Sequence, residues 1–456
     1  MTRDMTKGSP IKSILAFCVP LLIGNLFQQF YNLADSIIVG RFIGVNAFAA
    51  VGSTSSLNFL VLGFALGICS GFAIPIAQSF GANDKKTLRR RVGQAIWLGA
   101  AFALLITAGT FFGTRKILEL VSTPPEIFED AYTYIFIIFM GVGATILYNL
   151  ASGILRALGD SRTPLLFLVV ACVINVALDI LFITVFGMGV EGAAYATVIA
   201  QLASGLLCVA YIRRRVPILW LTKEDLRPDW REMCGMMSAG VPMGLQFSIT
   251  AVGSIILQSA VNRLGALAVA AISAGSKVHL IVATPLETLG ITMATYCGQN
   301  LGAHRVDRVR EGVRKITLVA FGYCVAGFLI SYFAGTGIAT LFVDASETEI
   351  LANVHRYLTY NGAGLPLLAV IFVFRNSLQG LGFSNSAMLA GLSELIARSL
   401  VAFGFVSSLG FAGVCWANPM AWLFADLILV PLYAVKIKKL AGLYSPKPTC
   451  APCAAE

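Results

Sequence analysis

The sequence predicts an all-α polytopic membrane protein whose twelve transmembrane helices form two six-helix lobes related by a parallel internal repeat. Composition is the first observation behind this. The 456 residues are 57% hydrophobic and only 12% charged, with a mean hydropathy of +0.81, too few charges to cover a soluble domain. The second is pattern: the apolar runs are long and unbroken, without the alternation of membrane-barrel strands. The third is a set of motifs recurring about 222 residues apart. The 10 cysteines are scattered, mostly within apolar runs, which excludes a secreted disulfide scaffold.

Roughly 20 apolar residues cross a bilayer. Runs between charged or Gly/Pro breaks place the first six spans near 14–42, 48–80, 92–113, 127–154, 163–186 and 190–212. Spans 7 to 12 lie near 237–261, 268–300, 316–336, 351–380, 384–408 and 411–435. Span 1 follows Arg3, Lys7 and Lys12 but is too long for a signal peptide. It also lacks a small-residue cleavage site and carries Asp35, so it is retained. Several runs exceed what a span needs, which implies tilt or extension beyond the membrane. The expected organisation is an N-terminal lobe at 1–212, a polar linker at 213–236, a C-terminal lobe at 237–436 and a tail at 437–456.

Basic residues set the orientation. Lys85, Lys86, Arg89, Arg90 and Arg91 follow span 2, and Arg156 and Arg162 follow span 4. Arg213 to Arg215, Lys223, Arg227 and Arg231 follow span 6; Arg305, Arg308, Arg310, Arg314 and Lys315 follow span 8; lysines close the tail. The alternate connections hold few basic residues beside acids such as Glu119, Glu126 and Glu129. The positive-inside rule then puts both termini in the cytoplasm and the chain in the cytoplasmic (inner) membrane. The net charge of +10 is thus a topology signal, and no nucleic-acid partner is expected.

The repeat is ordered. Val19-Pro20 recurs as Val241-Pro242, and Gly44-Val-Asn-Ala-Phe-Ala-Ala50 as Gly265-Ala-Leu-Ala-Val-Ala-Ala271. Gln78-Ser-Phe-Gly-Ala82 recurs as Gln299-Asn-Leu-Gly-Ala303, and Leu155-Arg-Ala-Leu-Gly-Asp-Ser161 as Leu378-Gln-Gly-Leu-Gly-Phe-Ser384. Six spans per half is even, so both halves enter the membrane from the same side. Two-lobed proteins of this kind commonly bind substrate between the lobes and rock to open either face.

A charge within the hydrocarbon costs about 2.5–3.5 kcal/mol on insertion scales, so the few present are functional candidates. Asn25, Gln28, Asn32 and Asp35 share one face of span 1, and Asn175 and Asp179 share one face of span 5. Asp35, Asp179 and Thr197 each lie the same number of residues from the outer ends of their spans, roughly 10 Å deep at 1.5 Å per residue. Two carboxylates at one depth, with an amide and a hydroxyl, form an all-oxygen set for a hard cation such as Na⁺, or a proton-sharing set. Aligned on the repeat, Asn175 falls at Arg398, Asp179 at Ala402 and Thr197 at Asn418, so these acids do not recur. The second half instead has Glu394 and Arg398, four apart and read as a structural ion pair. Glu287 fits either a proton-linked role or a hydrogen-bonded buried acid. Gln28, Asn32, Gln246 and Glu287 are candidate substrate-cavity residues.

No Walker motif and no His/acid metalloenzyme pattern are present, so an enzyme is not expected. No cofactor is expected beyond a coupling ion, H⁺ or Na⁺. Glycines such as Gly63 to Gly71 read as close helix packing. Cys450 and Cys453 read as reduced surface thiols.

Together these features resemble the multidrug and toxic compound extrusion (MATE) family. The resemblance rests on Pro20, Asp35, Gly44…Ala47-Phe-Ala-Ala-Val-Gly52, Gln78…Gly81-Ala82, Asn149…Arg156-Ala-Leu-Gly-Asp160 and Asn175-Val-Ala-Leu-Asp179. It implies a monomeric antiporter in the lipid bilayer that exports drug-like organic cations in exchange for H⁺ or Na⁺. In the branch that keeps its acids in the N-terminal lobe, Asp35, Asn175, Asp179 and Thr197 bind Na⁺ or are protonated, with Tyr134 in the network. The other branch has an acid in span 7, and Gln246 to Val252 contains none. The alternative is a lipid-linked oligosaccharide flippase, for which the basic residues within the spans, Lys277, Arg356, Arg375 and Arg398, are few and scattered.

Overall fold

The computed structural model describes residues 3–121 and 123–444; the side chains at 30, 32–37, 45, 46, 48, 120 and 407 lie outside the described set. The described residues are 87% helical. The first half contains α1 (Pro10–Phe42), α2 (Val45–Gly81), α3 (Lys85–Leu120), α4 (Pro125–Met140), α5 (Val142–Ala157), α6 (Arg162–Ile180) and α7 (Val190–Arg215). The second contains α8 (Trp230–Asn262), α9 (Ala266–Gly302), α10 (Val306–Leu329), α11 (Gly335–Ala339), α12 (Thr348–Ala363), α13 (Leu365–Gly380), α14 (Ser384–Leu400), α15 (Val406–Leu409) and α16 (Phe411–Tyr444).

Among the described residues ten helices are long and apolar enough to cross a membrane, and two bent pairs, each taken as one span, complete twelve. The expected single spans at 127–154 and 351–380 are in fact broken, by 46° between α4 and α5 and by 48° between α12 and α13. Each break falls at a glycine pressed against a neighbouring helix. A Cβ on Gly141 would lie 2.3 Å from Val198 Cγ2, and one on Gly364 would lie 2.9 Å from Trp422 Cζ3. Hydropathy is unchanged across such a bend, so an apolar run does not reveal it.

The repeat is written into the backbone. Left-handed residues precede α2 and α9 at Gly44 and Gly265, follow them at Asn83 and His304, and precede α6 and α14 at Gly159 and Gly382. Both α6 and α14 end in π-helical turns, at 181–185 and 401–405. Asp84 opens α3 by accepting from Thr87 Oγ1 and from the backbone N–H groups of Thr87 and Lys86, and those bonds hold its carboxyl below the usual range.

The two lobes meet along α2 and α8, where glycines four apart allow backbone contact. A Cβ on Gly67 would lie 2.6 Å from the Met243 carbonyl, and one on Gly71 2.4 Å from Gly240 Cα. At the face bearing the basic loops the seam closes symmetrically. Gln78 Nε2 of α2 donates to the Gly380 carbonyl at 3.0 Å, while Gln299 Nε2 of α9 donates to the Ala157 carbonyl at 2.9 Å. A Cβ on Gly81 would stand 1.9 Å from the Gln299 carbonyl oxygen, and one on Gly302 would stand 1.9 Å from that of Gln78. The segment before α1 ties this seam. Arg3 N–H donates to Leu158 O, Met5 N–H donates to Gln299 Oε1, and the Arg308 guanidinium caps the carbonyls of Met5, Lys7 and Gly8. At the opposite ends of the same two helices, Ser53, Ser55 and Ser56 of α2 and Ser273, Ser276 and Lys277 of α9 are exposed.

Candidate functional site

The N-terminal lobe carries a polar cage between α1, α6 and α7. Asn175 and Asp179 project from successive turns of α6 and are 1% and 0% exposed. Asn175 Nδ2 donates to Thr197 Oγ1 of α7 at 3.4 Å, and the Tyr31 hydroxyl of α1 lies 3.5 Å from the same oxygen. The amide thus turns its carbonyl the other way. Asn175 Oδ1 is closed off from solvent and has no hydrogen-bond partner among the described residues. Such an acceptor is costly to leave unused, about 1–3 kcal/mol, unless water or an ion occupies it. Tyr134 on α4 is buried among Ile183, Val190, Ala193 and Ala194, the residues flanking this cage. Asp35 and Asn32 belong to α1, but their side chains lie outside the described residues.

Every donor here is oxygen, which suits a hard monovalent cation and equally a proton held on carboxylate. Among the described residues no three His, Cys, Asp or Glu side chains gather as a metal group, so the described donors are one carboxylate, an amide and hydroxyls. That is a lightly charged, buried set suited to an exchanging ion.

The equivalent cage in the second lobe is built differently. Asn418 stands in the place of Thr197 and donates to Asn361 Oδ1 at 3.1 Å and to the Tyr357 hydroxyl at 3.4 Å. Arg398 stands in the place of Asn175, so a fixed positive charge occupies the helix position that offers an amide in the first lobe.

A twofold match decides the family. The MatE family profile fits residues 20–181 and again residues 242–406, each copy covering all but the last span of one lobe at the offset of the motif repeat. The chain belongs to the MatE family. It is 28% identical over 445 residues to the probable multidrug resistance protein YpnP of Bacillus subtilis strain 168, covering 97% of this chain and 99% of the relative. It is 34% identical over 366 residues to the probable multidrug resistance protein YoeA of the same organism, covering 77% and 78%. A solved outward-facing conformation of a multidrug resistance MATE family transporter has the same fold, with a TM-score of 0.90 at 23% identity over 96% of this chain and 98% of that one.

Within this MatE fold the remaining sequence candidates separate. Asn25 is on the lobe seam, its Nδ2 donating to Thr288 Oγ1 of α9 at 2.9 Å, and Gln28 is exposed one turn further along α1. Gln246 does not line an open cavity. It is 5% exposed inside the second lobe, and its Oε1 accepts from Gln379 Nε2 at 2.7 Å. Glu287 is partly buried on α9, close enough to Arg375 to interact electrostatically. Glu394 and Arg398 do pair, at 3.3 Å, and Arg375 joins from α13 at 3.2 Å, so two of the four basic residues within these spans converge, while Lys277 and Arg356 stay exposed and apart. Cys450 and Cys453 lie outside the described residues.

Two polar residues escaped the sequence reading. Tyr31 sits one turn before Asp35 on the face already singled out, a spacing that could have marked it. Asp426 is a lone acid in the apolar run of span 12; applying the intramembrane-charge rule to that span would have found it.

Proposed function

We propose that this MatE chain is a secondary active exporter of small organic cations, driven by H⁺ or Na⁺ entering the cage of Asp179, Asn175 and Thr197, with Asp35 and Tyr134 completing it. The unpartnered buried oxygen of Asn175 beside the fully buried Asp179 carries this reading. A cation arriving there would satisfy Asn175 Oδ1 and neutralise carboxylate charge. Its binding energy then favours whichever packing of α1, α6 and α7 closes around it. Because α1 also reaches the other lobe, through Asn25 to Thr288 and through the packing of Ile14, Phe17 and Leu21 beside α9, a change in α1 is felt at the seam.

The basic face is taken as cytoplasmic, with both termini there in the inner membrane and the chain acting as a monomer. In this reading the face sealed by the Gln78 and Gln299 bonds is the closed cytoplasmic side of an outward-facing state. Alternation would break the paired Gln78 and Gln299 bonds and open the cytoplasmic side. The flippase reading is disfavoured, because Arg375 and Arg398 are committed to Glu394 and are not displayed for a pyrophosphate.

The test is gradient-driven transport of a fluorescent organic cation in everted membrane vesicles. Asp35→Asn and Asp179→Asn are each expected to reduce it to the rate of vesicles lacking the protein. Undiminished gradient-driven transport in both variants would sink the proposal.

A further inference from the structure

The second lobe contains a charged cluster that the first-lobe cage does not use. Arg375 of α13 and Glu394 and Arg398 of α14 meet inside the bundle, facing Asp426 of α16, and Glu287 of α9 acts on the same Arg375. Glu394 has both oxygens engaged. Its Oε1 accepts from Arg375 Nη1 at 3.2 Å and its Oε2 accepts from Arg398 Nη2 at 3.3 Å. Asp426 has neither engaged. It is 8% exposed, both its carboxylate oxygens are closed off from solvent, and neither has a hydrogen-bond partner among the described residues.

The charges that act on Asp426 are Glu394, which repels, and Arg375, which attracts. The other segments against α16, namely α8, α10, α12, α15 and the π-helical turn at 401–405, present no charge acting on it among the described residues, and the one titratable ring nearby, His279 of α9, stacks on Trp422 one turn before Asp426. Tyr433, two turns on in α16, adds a buried hydroxyl that is neutral. If Asp426 holds a proton, Arg375 and Arg398 balance Glu394 and Glu287. An ionised Asp426 with no donor would be a buried unpaired charge, which folded proteins avoid.

We propose that Asp426 is a second proton-binding site of this transporter, housed in the C-terminal lobe, whose proton exchanges as Arg375 moves between Glu394 and Asp426. Two guanidinium groups in the cluster repel a metal or an organic cation, whereas a proton binds one carboxylate oxygen covalently and requires no cavity. On release the Asp426 O–H bond breaks, the electron pair stays on Oδ and the proton leaves to water. The new carboxylate then accepts an N–H bond from Arg375, whose guanidinium fork engages Glu394 through Nη1 alone among the described residues. Uptake reverses each step. The site lies in the opposite lobe from the Asp179 cage, so it stands or falls separately from the coupling role proposed there.

The test is infrared difference spectroscopy of the purified full-length protein between about pH 5 and pH 9, the interval in which a perturbed carboxyl would titrate. The wild type is expected to show a protonated-carboxyl C=O band that is lost as pH rises. Asp426→Asn, which is isosteric and neutral and so retains the wild-type melting temperature, is expected to lack that band. Asp179→Asn is expected to keep it. Arg375→Lys changes the donor geometry facing Asp426 and is expected to move the midpoint by about one pH unit or more. A spectrum of Asp426→Asn identical to the wild type would overturn the proposal. So would a band at Asp426 that does not titrate, since that is the behaviour of a permanently neutral structural acid. A band missing only from Asp179→Asn would assign the titrating carboxyl to the first-lobe cage and overturn the proposal as well.

Discussion

Gly302→Val is expected to abolish closure of the basic face. The side chain has nowhere to go: its Cβ alone would stand 1.9 Å from the Gln78 carbonyl oxygen and 2.7 Å from the carbonyl carbon, both of them backbone atoms of the other lobe. Overpacking of this kind typically costs about 1–3 kcal/mol, and about 1.4 kcal/mol already shifts a two-state equilibrium tenfold. The strain is relieved by separating the ends of α2 and α9, which also frees Gln299 from Ala157 and Met5. A cysteine at Ser79, a position 3% exposed, reports this directly when placed in a background lacking Cys234, Cys450 and Cys453. Its modification by a membrane-impermeant maleimide from the basic face is expected to rise roughly tenfold with Gly302→Val. The reciprocal Gly81→Val is expected to do the same, because its Cβ meets the Gln299 carbonyl at the matching distance. Unchanged labelling in both variants would mean that the seam is not the closed gate described.

Glu394→Ala is expected to be the most destabilising single change in the second lobe. It removes the one acceptor shared by Arg375 and Arg398, leaving Arg398 without its ion-pair partner and Arg375 with only the more distant charge of Glu287. Breaking a buried ionic network by deleting one partner costs roughly 3–5 kcal/mol. Glu394→Gln retains an acceptor oxygen and is expected to lose less. The check is the melting temperature of detergent-solubilised protein, with Asp426→Asn alongside as a neutral, isosteric change that is expected to leave it unchanged. A Glu394→Ala protein as stable as the wild type would show that the arginines find other partners and that the triad is dispensable.

Fold and site differ in how much of each the sequence discloses. Apolar length and basic loops announce helices whatever their partners, and the duplicated Gln78 and Gln299 motifs mark equivalent positions before any contact is known. These motifs prove to be the two halves of one seam, since each glutamine donates to a carbonyl in the opposite lobe. The bends at Gly141 and Gly364 were hidden because each depends on a bulky side chain, Val198 or Trp422, arriving from a helix remote in sequence. Depth arithmetic set Asp179 and Thr197 at one level, and a 3.4 Å hydrogen bond joins Thr197 to Asn175, one turn from Asp179 on the same helix. The same arithmetic has no power over azimuth, so the bond that Gln246 accepts from Gln379 inside the second lobe comes to light only in the fold. Azimuth also hid the convergence of Arg375 with Glu394, which comes from two different helices.

The central claim is that cation exchange in the Asp179 cage drives export. It is tested most directly with purified protein in liposomes, imposing a Na⁺ gradient or a pH gradient separately and following a panel of fluorescent organic cations. The wild type is expected to move at least one of them against its gradient under one of the two driving ions. Asp179→Asn, with the cage carboxylate replaced by an amide, is expected to fall to the rate of protein-free liposomes under both. Gradient-driven movement by Asp179→Asn at the wild-type rate would contradict the account.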